Sequence, residues 1–298
     1  MTVVIRWPVK SDYYYLALKN REEAAHTAFC EQSRKYFENR YDGNDWVSFP
    51  PIDNETRENG FGQIRCETGI TSTELGAIEK RFKVSGNEFF ITVAALAVSL
   101  YSDKQNVKLS WLYNGREDVK MMNTVGLLFR DLPIAFRFDE NRNVADVFAD
   151  ASEQVQKAIE HSCYLYVENN SLVIEDDVAY VLYQRDFHDV GSLDGVEIEK
   201  VDVRQNKAAA QSVLDMEILD NGDDFVLSMD YASSRYEVST MERFCKLFIR
   251  IASVLVHTDD ENYITVKKLR SEVQKDYPFF RKDMSAFSER KMRKVRRV

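Results

Sequence analysis

The run from Phe89 to Tyr101 constrains this chain most. Its residues, FFITVAALAVSLY, are apolar around nearly the whole circumference of a helix, so it must be covered on several sides. Such a helix belongs at the centre of a layered domain. Ser85 stands three residues before Glu88, and Thr71 three before Glu74. In each pair the hydroxyl can accept a free backbone N–H while the carboxylate reaches back to the capping residue, which predicts two helix starts. Upstream, Ala24, Ala25, Ala28, Phe29, Tyr36 and Phe37 predict one helix over Arg21 to Arg40, ended by Gly43.

Strand signals surround these helices. Gln63–Glu67 and Val178–Tyr183 read as strands. Val107, Leu109, Trp111 and Tyr113 alternate with more polar neighbours, as on one face of a sheet. Leu127–Phe129 and Ile134–Phe138 read as separate extended pieces around Pro133. Val144 to Ile159 is amphipathic, with Asn143 as its cap. Leu214, Met216 and Ile218 alternate, as do Phe225, Leu227, Met229 and Tyr231. Asn221-Gly222 between them predicts a hairpin closed by a type I′ turn. A last helix carries Met241, Phe244, Leu247, Phe248, Ile251, Val254 and Leu255 on one face. The expected fold is α/β, a mixed sheet backed by helices.

Charge and composition narrow the function. The net charge of -9 opposes a broad phosphate-binding face, so no nucleic-acid partner is expected. No stretch reaches the roughly 20 apolar residues of a membrane span. The first residues lack a cleavage signal, and Cys30, Cys66, Cys163 and Cys245 are widely scattered. We therefore expect reduced core thiols and a cytoplasmic protein. The end is basic: Arg281, Lys282, Arg290, Lys291, Arg293, Lys294, Arg296 and Arg297 outnumber Asp283 and Glu289, as in a solvated tail.

Catalytic signals are sparse. There are four histidines and no HExxH, GxSxG, phosphate loop or spaced Cys/His metal set. His26 and His257 lie in helices without a partner motif, and His188 lies in the polar loop Arg185–Asp189. His161 ends the amphipathic helix, where the helix dipole favours a cation. Asp176-Asp177 and Asp223-Asp224 read as solvated turn residues.

The order of several motifs carries a resemblance. Trp111-Leu112-Tyr113-Asn114-Gly115-Arg116 resembles the strand with a terminal Gly-Arg pair in condensation domains of nonribosomal peptide synthetases. Val125-Gly126-Leu127-Leu128-Phe129-Arg130-Asp131-Leu132-Pro133 resembles the family's V-G-x-F-V-N-T-x-P segment, with Arg130 and Asp131 in place of Asn and Thr. His161-Ser162-Cys163-Tyr164 is similar to its His-Gln-x-Tyr segment. Ser11-Asp12-Tyr13-Tyr14-Tyr15 resembles its Tyr-x-Asp-Tyr-Ala segment.

The resemblance implies the C-terminal lobe of a two-lobed, chloramphenicol-acetyltransferase-like sandwich. The lobe and its lead-in helix are expected over 1–258, and a C-terminal extension with the basic tail over 259–298. In that family the intact domain joins acyl and aminoacyl thioesters carried on phosphopantetheine arms of carrier proteins, with no cofactor of its own. Arg130 and Asp131 would lie near the substrate channel, with His161 in the same matched set. Gly126 would allow close packing beside the channel, and Arg116 would anchor the loop after its strand. The family's catalytic His-His-x-x-x-Asp-Gly is absent. The fourth residue after each of the four histidines is Cys30, Leu165, Ser192 or Glu261, never Asp. The resemblance therefore implies a chain inactive alone, partnered by carrier proteins and the N-terminal lobe, or self-associating through the face that lobe would cover. The alternatives are a non-catalytic module that binds a carrier protein or partner lobe, and a complete CoA-dependent acyltransferase.

Overall fold

The computed structural model describes residues 12–41, 45–54, 60–116, 119–121, 124–166, 178–184, 213–258 and 264–275. The loop around His188, Asp176-Asp177 and the basic tail lie outside them. In chain order the elements are α1 (Asp12–Ala25), α2 (Ala28–Tyr41), β1 (Phe61–Thr71), α3 (Ser72–Phe82), α4 (Gly86–Ser102), β2 (Asn106–Tyr113) and β3 (Arg130–Arg137). There follow α5 (Val144–Glu160), β4 (Tyr180–Gln184), β5 (Leu214–Asp220), β6 (Asp224–Ala232), α6 (Val238–His257) and α7 (Val266–Lys275). Short 3₁₀ turns occupy Val119–Met121 and Ser162–Tyr166.

The strands form a six-stranded mixed sheet in the order β1-β6-β5-β4-β2-β3. β4 pairs parallel to β2 and β5; the other pairings are antiparallel. Because side chains alternate across a strand, the register assigns the faces. Cys66, Leu227, Ile218, Val181, Trp111 and Leu132 share one face, and all but the half-buried Cys66 are core residues packed with α4, α5 and α6. The other face carries Gln63, Arg65, Ser228, Asp230, Lys108 and Asp131. β1's outward residues are exposed there, but Lys108, Ser110 and Ser228 nearer the middle are buried. The sheet is thus covered on both sides at its centre, not on one.

The apolar helix sits where its composition demands. α4 packs against α3, α5, α6, β2 and β4, and Phe89 to Val98 are all buried. Phe90 stacks on Tyr183 and Phe248 and meets Phe225 at a tilt, which ties helix layer to sheet. Both predicted capping boxes form. Glu74 N–H donates to Thr71 Oγ1 at 3.2 Å and Thr71 N–H to the Glu74 carboxylate at 2.8 Å. The same exchange joins Ser85 and Glu88 at 3.3 and 2.6 Å. Asn143 caps α5 by accepting from Ala145 N–H at 2.8 Å.

Four local expectations are corrected. The single helix over Arg21–Arg40 is two, because Thr27 caps a new start: its Oγ1 accepts from Cys30 N–H at 3.2 Å and donates to the Ala24 carbonyl at 2.7 Å. Pro133 lies within one strand rather than between two pieces. Ser110 N–H points to the Ala179 carbonyl, so the Ser110–Pro133 pair makes no ladder bond and the missing proline N–H falls on the open edge of β3. In the hairpin, positive φ is confined to Gly222, at 91°, and Asn221 pairs with Asp224 through a 3.0 Å bond. Gly222 is therefore the first central residue, the pattern of a type II′ turn. Finally, the cysteines are not all free. A disulfide joins Cys66 of β1 to Cys245 of α6 across the sheet–helix interface, while Cys30 and Cys163 are free and buried.

α7 follows residue 258 and packs on α6 through the buried Val266, Leu269 and Val273. No single described helix is long and apolar enough to cross a membrane.

Candidate functional site

The residues singled out from sequence fall into three places. The first is the segment 124–129, between the end of β2 and the start of β3. Arg116 donates from Nη2 to the Thr124 and Gly126 carbonyls, each at 3.3 Å. From α1, Arg21 donates to the Leu128 carbonyl at 2.7 Å. The two guanidinium groups take alternate carbonyls and fix the segment as an extended rail. Gly126 lies against the Tyr14 ring, where an added Cβ would stand 2.4 Å from ring carbons. Leu128 points inward and is buried, whereas Val125, Leu127 and Phe129 project outward and are exposed.

The second place is the turn after α5. Arg130 donates from Nη1 to Ser162 Oγ. Next to it, His161 Nδ1 lies 3.0 Å from Ser33 Oγ, and its ring stacks on Phe29 and Tyr36 at centroid distances of 5.4 and 4.5 Å. Burial lowers the His161 pKa; Glu160 opposes that and Lys157 adds to it. His161 is therefore neutral near pH 7, not the cation a helix end favours, because two rings displace its water. Cys163 Sγ sits 3.4 Å from Ser33 Oγ. Burial first, then Cys163, push the Cys30 thiol up to about 11, so it is a poor nucleophile.

The third place holds Asp131 alone. As neighbours on a strand, Arg130 and Asp131 point to opposite faces, so the two do not line one surface. Arg130 shares the face of Leu132 and Tyr113, and Asp131 lies opposite Leu112 on the polar face. Burial raises its pKa.

Sequence reasoning missed Arg21, Ser33, Phe29 and Tyr36. The last three were legible as one face of α2, since positions i, i+4 and i+7 align. That His161, already singled out, is their partner was not legible, since it stands 128 residues from Ser33. Of the other histidines, His257 Nε2 pairs with Glu74 at 3.4 Å and His26 lies at the α1–α2 break. Among the described residues no group of three or more His, Cys, Asp or Glu could hold a metal ion.

A family model described as Condensation domain matches residues 7–275, and the chain belongs to that family. Solved structures agree on the fold. The condensation domain from the Monacolin K polyketide synthase MokA superposes with a TM-score of 0.65 at 15% identity, covering 88% of this chain and 64% of that one. The epimerization domain from the third module of tyrocidine synthetase B gives 0.60 at 12%, covering 85% and 60%. The EpoB cyclization-docking bidomain from Sorangium cellulosum gives 0.62 at 12%, covering 86% and 54%. The chain spans less than two thirds of each. Comparison with the curated proteins finds no match.

Proposed function

We propose that this chain is the C-terminal lobe of a condensation domain and that it supplies wall and docking surface to a thioester channel. The observation that carries this reading is the unequal coverage: 88% of this chain against 64% of the MokA domain, under a family match over residues 7–275. The unmatched part of such a domain would bring the His-His-x-x-x-Asp-Gly motif, absent from these 298 residues. Its second histidine would orient or deprotonate the attacking amine. The donor acyl and acceptor aminoacyl groups would arrive as thioesters on phosphopantetheine arms of carrier proteins. On this reading the rail at 124–129 meets the other lobe, Arg116 and Gly126 keep it rigid, and Asp131 faces the channel from the polar side of β3. Arg130, bonded to Ser162, and His161 line it less directly, through the turn that follows α5.

Supplying an N-terminal lobe in cis or in trans and assaying peptide-bond formation between carrier-bound substrates tests the proposal. Product is expected only with both parts, and replacing the second histidine of the supplied motif should abolish it. Inert mixtures whose parts never associate would overturn the reading.

A non-catalytic module is the second reading, favoured by the absence of any His-x-x-x-Asp in the sequence. It predicts capture of phosphopantetheinylated carrier protein with no turnover, even when the other lobe is present.

A further inference from the structure

Among the described residues, three groups lie within hydrogen-bond distance of the Ser33 hydroxyl. Ser33 is fully buried on α2. Its Oγ lies 2.9 Å from the Phe29 carbonyl, 3.0 Å from His161 Nδ1 and 3.4 Å from Cys163 Sγ. A hydroxyl has one proton and two lone pairs. The carbonyl can only accept, so the Ser33 proton goes to Phe29, the usual back-bond to the preceding turn. The lone pairs are left for two donors, and His161 Nδ1 must be one of them. The imidazole is neutral, so a proton on Nδ1 leaves none on Nε2.

The ring has no freedom to turn away. Phe29 and Tyr36 stand seven positions apart on α2, about 10.5 Å along the axis at 1.5 Å per residue. His161 stacks on both, with interplanar angles of 19° and 21°. It fills the slot between them, with Ser33 at the bottom. Nε2 lies on the side of the ring away from Nδ1 and so away from the buried hydroxyl; His161 is itself only half-buried, and Phe29 beside it is exposed.

We propose that Phe29, Ser33 and Tyr36 form a slot that holds His161 as its Nδ1–H tautomer and presents Nε2 as a fixed acceptor for an N–H or O–H group of a ligand. Ser33 is the positioning residue and His161 Nε2 the binding atom. The proposal does not depend on the condensation reading. The charged and titratable groups around the ring are Tyr36 of the slot itself and Glu160 and Lys157 of α5, with Cys163 on the following turn and Cys30 of α2. None of these competes with Ser33 for Nδ1 by a hydrogen bond.

Long-range ¹⁵N–¹H correlation spectra of the full chain at neutral pH read the tautomer directly. The wild type is expected to show His161 Nδ1 protonated and Nε2 unprotonated. Ser33→Ala should shift the balance toward Nε2–H, the form that free imidazole side chains favour, and Ser33→Thr should restore the wild-type pattern. An Nε2–H signal in the wild type overturns the proposal without any variant, as does an unchanged tautomer in a folded Ser33→Ala protein. Diethyl pyrocarbonate, which acylates unprotonated imidazole nitrogen, tests access. His161 should be modified at least as fast as His26 and His257 in the same sample, and protection of His161 alone would show that Nε2 is closed to ligands.

Discussion

The Gly115 backbone crosses the Leu128 carbonyl so closely that a Cβ built on Gly115 would stand 1.8 Å from that oxygen. Gly115 also has φ +67°, a conformation that other residues adopt only at a cost. Arg21 donates to the same carbonyl, so helix α1, the end of β2 and the rail meet at one oxygen. Gly115→Ala should therefore destabilise the chain by more than about 2 kcal/mol, from strain and overlap together. Arg21→Ala should cost about 1 kcal/mol, the usual loss for one hydrogen bond. Urea unfolding midpoints measure both, and a Gly115→Ala protein of wild-type stability would refute the tight crossing.

Gly76 provides the contrast. It lies inside α3, and nothing stands within 4 Å of the Cβ it lacks. Gly76→Ala is expected to stabilise the chain by roughly 0.5–1 kcal/mol, because alanine is the better helix former and meets no obstacle. A loss in the same urea assay would mean that α3 is packed more tightly than this geometry allows.

Asp131 is a carboxyl held against its preference. Burial favours the neutral form, so the folded state binds a proton that the unfolded state has released above the ordinary 3.8. Stability then falls as pH rises through the window from 3.8 to the raised value, and stays lower at neutral pH. Asp131→Asn keeps the shape and removes the charge, so it should raise neutral-pH stability by on the order of 1 kcal/mol. The gain should vanish in acid, where both side chains are neutral. Thermal unfolding at the two pH values checks the sign. An Asp131→Asn protein less stable than wild type at neutral pH would show that the carboxylate has a partner.

What the sequence made legible was local. The apolar run at Phe89, the hydroxyl–carboxylate pairs at Thr71/Glu74 and Ser85/Glu88 and the alternation around Gly222 each encode structure within a few residues, and each element formed. The misreadings were local as well: Thr27 divides a helix because its hydroxyl serves the next turn, and the hairpin turn is one residue out of the expected register. The site was much less legible. Gly115, Gly126 and Arg116 stood in a recognisable order, but Arg21 meets Leu128 across 107 residues, and periodicity says nothing of such contacts. Arg130 and Asp131 were placed near a channel by their positions in the matched segment, and strand alternation sends the two to opposite faces. The Cys66–Cys245 bond, 179 residues apart, depends on which strand faces α6, and spacing alone could not supply that.

His161 makes the chain sensitive to mild acid. Its pKa is lowered below the ordinary 6.5 by burial, so between those values the unfolded chain binds a proton that the folded chain refuses. Stability should rise with pH through that window and be lost as pH falls below about 6.5. The Glu74 pKa is lowered by its Thr71 bonds, so its contribution disappears only below the ordinary 4.5. The two effects are thus separable. His161→Phe keeps an aromatic ring between Phe29 and Tyr36 but cannot titrate. It should cost stability at every pH, through the lost Ser33 bond, yet flatten the slope just below the ordinary 6.5. Denaturation midpoints across that range test this, and an unchanged slope would assign the sensitivity elsewhere.

The outward residues of the rail predict how the chain behaves alone. Val125, Leu127 and Phe129 are 73%, 64% and 51% exposed, and Val119 on the neighbouring turn is 85% exposed. Because Arg116 and Arg21 hold the rail's carbonyls, these side chains cannot fold back to cover one another. A rigid row of large apolar groups is seldom left to water. The isolated chain should therefore self-associate as its concentration rises, with a light-scattering mass above the 34.7 kDa of one copy. The double variant Leu127→Lys, Phe129→Glu should return it to that mass with stability changed by no more than about 0.5 kcal/mol, since exposed positions contribute little to folding. The same variant should weaken capture of a supplied N-terminal lobe if that lobe meets the rail. A wild-type chain that stays monomeric at high concentration would remove the rail as a self-association surface.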